Sequence, residues 1–326
     1  MIKYTSANIK MWSRLGSCGA FGIAAKEIAK ENEKALFVTS DLCYTSGLRG
    51  LEADFSSKLY NCGIAEQNMV GVAAGLANEG FIPFATSFAT FSTARCMDQI
   101  RVNMGYMGLK VKLVGIRSGL SISDFGATHI SIEDIAIVRS IPNIVILSPA
   151  DCTETIKATI AASKINSPVY LRLSGPMNNP IVYNNDYDFE VGKAITLRNG
   201  EDVSIIATGT MVYNSLKAAE ILSEIYSIQA SVIDMHTIKP LDNSVIDLAC
   251  NSSLIVTVEE HSKIGGLGAA ISEYLSEKVK KPPQLILGLK DEYKHAGDYN
   301  YLIRQYGLTP EQIAESILLK YKTIKG

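Results

Sequence analysis

The chain has 326 residues, 47% hydrophobic and 20% charged, with 31 basic against 33 acidic side chains and a formal net charge of -2. About two domains' worth of polypeptide with this apolar fraction buries large cores and excludes a disordered chain. Near-neutral charge without a long basic run excludes electrostatic capture of nucleic acid or an anionic membrane.

Apolar runs such as Ile144-Val145-Ile146-Leu147 have strand length, far short of a membrane span. The six cysteines (Cys18, Cys43, Cys62, Cys96, Cys152 and Cys250) form no C-x-x-C pair, and there are four histidines. Neither a disulfide frame nor a metal site is expected, and reduced, mostly buried thiols suit the cytoplasm. The opening Met1-Ile2-Lys3-Tyr4 leads into a polar stretch without a secretory apolar region, which points the same way.

In chain order, short β-branched runs alternate with helical patterns. Residues 35–39, 81–86, 111–116, 143–148 and 169–173 are predicted strands. Helices are predicted over 19–32, 65–78, 90–104, 132–141 and 152–165. This alternation implies a parallel sheet covered by helices on both faces. From Ser174 a polar, turn-rich stretch breaks the rhythm, with Pro176-Met177-Asn178-Asn179-Pro180 and then Asn184-Asn185-Asp186. A second series follows, with strands predicted over 203–207, 230–235, 254–258 and 284–287. Helices are predicted at 211–226, after Leu241, from Gly266, and twice at the end, where Thr309-Pro310 is a helix start. The expected architecture is α/β, two doubly wound domains over 1–180 and 198–326, joined by an extended linker over 181–197.

Ligands of open α/β sheets gather at the carboxyl ends of the strands, so the loops there hold the candidates. The first contains Gly63-Ile64-Ala65-Glu66, where Glu66 enters a helix that then turns apolar. An acid in a first helical turn favours the macrodipole; the sharper alternative is a carboxylate that shares a proton with a bound heterocycle. The second contains Phe88 and Phe91, three apart, either core or a wall for a flat ring. The third runs from Arg117 to His129, long and glycine-bearing, and ends on a side chain suited to proton transfer. The Thr208-Gly209-Thr210 turn and the adjacent Glu259 and Glu260 fit a structural role, because neighbours on a strand point to opposite faces.

Taken together, these loops resemble the C-terminal half of a transketolase, nearly end to end. Gly63-Ile64-Ala65-Glu66-Gln67-Asn68-Met69 is similar to the family's segment for the catalytic glutamate, and Gly126-Ala127-Thr128-His129 to its G-[PA]-T-H loop. Phe88 and Phe91 stand where the family builds an aromatic wall. Thr237-Ile238-Lys239-Pro240-Leu241-Asp242, Val258-Glu259-Glu260-His261 and Gly265-Gly266-Leu267-Gly268 resemble signatures of its C-terminal domain.

The resemblance implies thiamine diphosphate as cofactor. Glu66 would hydrogen-bond N1′ of the aminopyrimidine and favour its imino tautomer, with Phe88, Phe91, Asp41 and Leu42 around the cofactor. His129 would contact substrate oxygens and move protons, and Arg14, Ser17 and Arg117 would grip the far, anionic end of the sugar. The chain contains no Gly-Asp-Gly, the family's diphosphate and Mg²⁺ motif. The expectation is therefore a split enzyme with a separate N-terminal subunit, two copies of each, the metal being held mainly by that partner. A subunit like deoxyxylulose-phosphate synthase or a 2-oxoacid dehydrogenase β chain is the runner-up, and a non-catalytic scaffolding subunit the reading from another class.

Four positions depart from the family pattern. Arg117 stands in place of a histidine, Phe125 in place of an aspartate, Gly175 in place of an arginine, and Ala94 in place of a third ring. An anionic tail is still expected, because arginine is the bidentate partner of tetrahedral oxyanions. A sulfonated sugar such as sulfofructose, or a branched or modified sugar phosphate, fits a rebuilt tail site.

Overall fold

The computed structural model describes residues 2–326; Met1, the first residue of the expected unit 1–180, lies outside the described residues. The first sheet contains β1 (Ala35–Thr39), β2 (Leu59–Asn61), β3 (Ile82–Phe88), β4 (Lys112–Ser118), β5 (Val145–Leu147) and β6 (Val169–Ser174). The later strands are β7 (Ile195–Arg198), β8 (Val203–Ala207), β9 (Ala230–Asp234), β10 (Thr237–Lys239), β11 (Leu254–Ser262) and β12 (Gln284–Leu289). The seven-stranded sheet has the order β10-β5-β6-β4-β3-β1-β2 and the five-stranded sheet β12-β11-β8-β9-β7.

Both sheets are parallel except at one edge. There β10 runs antiparallel to β5, and β7 antiparallel to β9. Strands β1, β4 and β8 are almost wholly buried and carry short apolar runs, Leu36-Phe37-Val38, Leu113-Val114 and Ile205-Ile206, rather than a strict polar–apolar alternation. Helices on both faces close separate cores, one around Phe21, Phe37, Phe84 and Leu171 and another around Met69, Ile100, Leu113 and Tyr170.

Four features depart from the sequence expectations. The first helix is longer, Ser6–Glu31, and is broken at Gly16, whose φ of 75° only glycine adopts readily. A side chain there would press on the backbone of Pro176 and Met177. The helix expected over 90–104 is instead a short turn, Ala89–Ser92, then Met97–Gln99 and a π-helical stretch, Ile100–Tyr106. The hydroxyls of Ser92 and Thr93 both donate to the Ala89 carbonyl, at 3.2 and 2.6 Å, and so compete with helix continuation. Strand β11 extends through Glu259, Glu260 and His261. Finally, β10 lies within the expected unit 198–326 yet completes the sheet of the other unit, while β7 begins inside the expected linker.

Among the described residues, no helix is long and apolar enough to cross a membrane, and all six cysteines are free thiols.

Candidate active site

The carboxyl ends of β1 to β4 converge on one edge of the larger sheet. After β1 the chain turns at Asp41, with φ 60°, and the Asn61 side chain holds that turn. Asn61 Oδ1 accepts from the Asp41 and Gly63 backbone N–H groups, both at 2.9 Å, and its amide donates to Asp41 Oδ1 at 3.2 Å. Leu42 follows, half-buried. One amide thus fixes the loop after β1 and the glycine turn that delivers Glu66.

Glu66 opens the helix Glu66–Asn78 and is only 4% exposed. Its Oε2 accepts from Arg95 Nη1 at 2.7 Å, and the Arg95 guanidinium lies 4.1 Å from the centre of the Phe91 ring. Arg95 comes from the turn that interrupts the expected helix, and Gln67 holds its carbonyl at 3.1 Å. Next door, Cys96 donates to the Phe91 carbonyl, and burial followed by the charge of Glu66 pushes its thiol up to about 12. Cys96 therefore stays protonated and is no nucleophile.

The rings gather around His129. Phe88, Phe91 and Phe125 lie with their centroids 5.9, 5.3 and 5.0 Å from the imidazole, and Phe88 meets Phe91 edge-on at 5.9 Å. Thr128 Oγ1 pairs with His129 Nδ1 at 2.9 Å, which leaves Nε2 for another group. Phe125, in place of the family's acid, is 60% exposed and covers the imidazole with an apolar face.

The His129 loop is clamped at its root. Gly119 and Ser131 exchange backbone hydrogen bonds at 2.9 and 3.1 Å. Glu260, from the smaller sheet, accepts from Leu120 N at 2.6 Å and from Thr210 and Tyr299 hydroxyls at 2.5 Å each. Glu259 points the other way and accepts from Leu267 N and Gly268 N, at 2.7 and 2.8 Å. Both carboxyls are spent on structure, as expected from their opposite faces.

The third group of candidates gathers around the carboxyl end of β4. Arg117, with φ 54°, sits at a register shift in the pairing of β4 with β6, one residue past Ile116, which pairs with Phe88. It adjoins Cys18, just after the break at Gly16, and its buried Nε has no hydrogen-bond partner among the described residues. Ser17 is buried and Arg14 exposed, on a segment tied to Asn179 through Ser13. Gly175 has no room for an arginine: at φ 89° a Cβ would stand 2.8 Å from both Asn179 and Thr210. The arginine of this strand is Arg172, wholly buried and paired with Asp134 at 2.8 Å.

The structure thus joins Glu66, Phe88, Phe91 and His129 by direct contacts or shared neighbours, ties Asp41 to the Glu66 turn through Asn61, and sets Cys18, the neighbour of Ser17 in sequence, beside Arg117. Sequence reasoning missed Arg95, Asn61 and the tilted packing of Phe125 on His129. Only the seven-residue spacing of Arg95 from Phe88 could have suggested the first. A buried carboxylate near a half-buried aromatic wall fits a flat heterocycle with an N–H donor or a protonatable nitrogen. Among the described residues no group of three or more His, Cys, Asp or Glu is placed to hold a metal ion.

Residues 17–178 match the family described as transketolase, pyrimidine binding domain, and residues 192–313 match transketolase, C-terminal domain. The chain is 37% identical over 293 residues to an apulose-4-phosphate transketolase subunit of Phocaeicola vulgatus, covering 90% of this chain and 93% of the relative. It is 38% identical over 291 residues to a 6-deoxy-6-sulfo-D-fructose transketolase subunit of Clostridium sp., covering 89% of each. Among solved structures, a split gene transketolase described as an inactive beta4 tetramer superposes with a TM-score of 0.84 at 36% identity, over 95% of this chain and 99% of that one. The chain belongs to the transketolase family.

Proposed function

We propose that this chain is the pyrimidine-binding and C-terminal subunit of a split transketolase. It moves a two-carbon ketol unit from an anion-tailed ketose to an aldose. Three segments divide the work: 1–180 presents the pyrimidine site, 181–197 connects, and 198–326 braces the His129 loop. One observation carries the reading: a buried Glu66 is joined through Arg95 to the Phe91 ring, which packs on His129, at the carboxyl ends of parallel strands.

Thiamine diphosphate, the cofactor of this family, supplies the nucleophilic carbon and the electron sink when bound. Glu66 holds a proton at N1′ of its pyrimidine ring, and Phe91 and Phe88 position that ring with water kept off the carboxylate. Asp41 and Leu42 border the same end. His129, its Nδ1 engaged by Thr128, offers Nε2 to the substrate's oxygens and carries protons as the ketol bond breaks and forms. Arg117, with Arg14 and Ser17, receives the anionic tail. Its unpartnered Nε supports this role, since a buried donor left unpaired is costly without a ligand.

The diphosphate and Mg²⁺ fall to a separate N-terminal subunit, two of each chain forming the enzyme, because no Gly-Asp-Gly segment is present here and the relatives above are named as subunits. Free cysteines suit a cytoplasmic setting. A sulfosugar or a branched sugar phosphate is the favoured donor. Co-expression with a separate N-terminal chain that carries the diphosphate-binding Gly-Asp-Gly motif, loading with thiamine diphosphate and Mg²⁺, and a screen of donor ketoses with aldose acceptors test this. Two-carbon transfer is expected, and turnover of 2-oxoacids alone would overturn it.

A further inference from the structure

The contact between Arg95 and Glu66 is not needed to explain ketol transfer, and it lies where the proposed cofactor ring belongs. The guanidinium is flat, carries N–H donors, hydrogen-bonds the buried carboxylate and lies over the Phe91 ring at 4.1 Å. Those are the features a protonatable aminopyrimidine would present to the same two groups. We propose that Arg95 is a placeholder: it fills the heterocycle's slot in the free subunit and swings out when the ring enters. The inference rests on the thiamine diphosphate reading above.

Asymmetry of burial says which partner moves. The Glu66 side chain is 4% exposed and begins a helix, whereas the Arg95 side chain is 45% exposed on a flexible stem. The Arg95 backbone stays anchored through Gln67, so only the side chain need leave. A buried carboxylate left unpaired is strongly unfavourable, so Arg95 yields only to a ligand that itself donates to Glu66 and stacks on Phe91.

The test uses the full-length chain and, as probe, the pyrimidine half of thiamine, 4-amino-5-hydroxymethyl-2-methylpyrimidine, with affinity read by calorimetry. Arg95→Ala should bind it about tenfold more tightly than the parent, the combined loss of an exposed ion pair and a cation–π contact. Arg95→Lys should fall between, and Glu66→Gln should not bind. The ¹⁵N signal of the Arg95 side chain supplies a readout independent of activity. Slow proton exchange in the parent should become fast on saturation with probe, as it should in Glu66→Gln without probe. Equal or weaker binding by Arg95→Ala, or an unchanged Arg95 signal at saturation, would overturn the placeholder while leaving the cofactor reading intact. Absence of binding in the parent and in Arg95→Ala alike would overturn both. Thermal melts of each variant establish that the fold is retained.

Discussion

Where the two sheets meet, Asp134 is fully buried and its Oδ2 accepts from Tyr170 and from Arg172, at 2.7 and 2.8 Å. Arg172 goes on to donate to the Glu260 carbonyl at 2.9 Å, and His261 next to it is driven down to about 4 by burial, so it stays neutral. In the ring-lined cleft, Glu66 is nearly as buried, yet its ion-pair partner Arg95 is half exposed. The seam secures its charges with groups that cannot leave. The cleft secures its charge with one that can. A buried acid whose partner is replaceable marks a ligand site; a buried acid enclosed by fixed partners marks a joint.

Four experiments can break that contrast, from the largest effect down. Glu66→Gln should cut turnover of the reconstituted enzyme by about a thousandfold or more, with an unchanged melting temperature. Near-normal turnover at full cofactor loading would remove Glu66 from the chemistry. Arg172→Met, which strands Asp134, should cost about 3–5 kcal/mol in urea unfolding, and adding Asp134→Leu should restore most of it. If the single variant unfolds like the parent, the seam is not held as described.

His129→Ala should lower turnover about a hundredfold while leaving pyrimidine binding near normal, which separates substrate handling from cofactor handling. A loss of both together would place His129 in the cofactor slot instead. The smallest effect is a pH slope. Asp234 shares a proton with Glu154 and accepts from the Tyr183 hydroxyl; desolvation lifts Asp234 to about 7 and Glu154 well above its ordinary value. Asp151 nearby is raised too, again by desolvation, while Tyr187 donates to Glu154 at 3.0 Å and remains protonated. The folded state therefore binds protons that the unfolded chain has released. Stability from this cluster should be full below about pH 4 and fall as pH rises toward 7. Asp234→Asn should flatten that fall in urea midpoints, and an identical slope would show that the pair is not the source.

The alternation of apolar runs and helices was legible because covered parallel strands carry short unbroken apolar runs, such as Leu36-Phe37-Val38, and amphipathic stretches separate them. Glu66, the ring pair and His129 were legible because each stands at or soon after the end of a strand, in a pattern similar to a known family. Other parts were silent for physical reasons. Strands β2 and β10 are three residues each, too short to show a period, and β10 is specified by pairing with β5 some ninety residues away. The interruption of the helix after Phe91 depends on which carbonyl two hydroxyls choose, and Arg95 reaches Glu66 across 29 positions of sequence. Phe125 reads as a loop residue until its ring is seen against His129.

Strand β10 has a practical corollary for anyone dissecting the molecule. A fragment that stops near residue 180 would lack the ribbon that covers β5, so its larger sheet would present bare amide and carbonyl groups along one border. Such a piece should self-associate through that border rather than behave as an autonomous module. Supplying residues 237–239 in trans, or capping β5 with a charged substitution, would be the natural remedy.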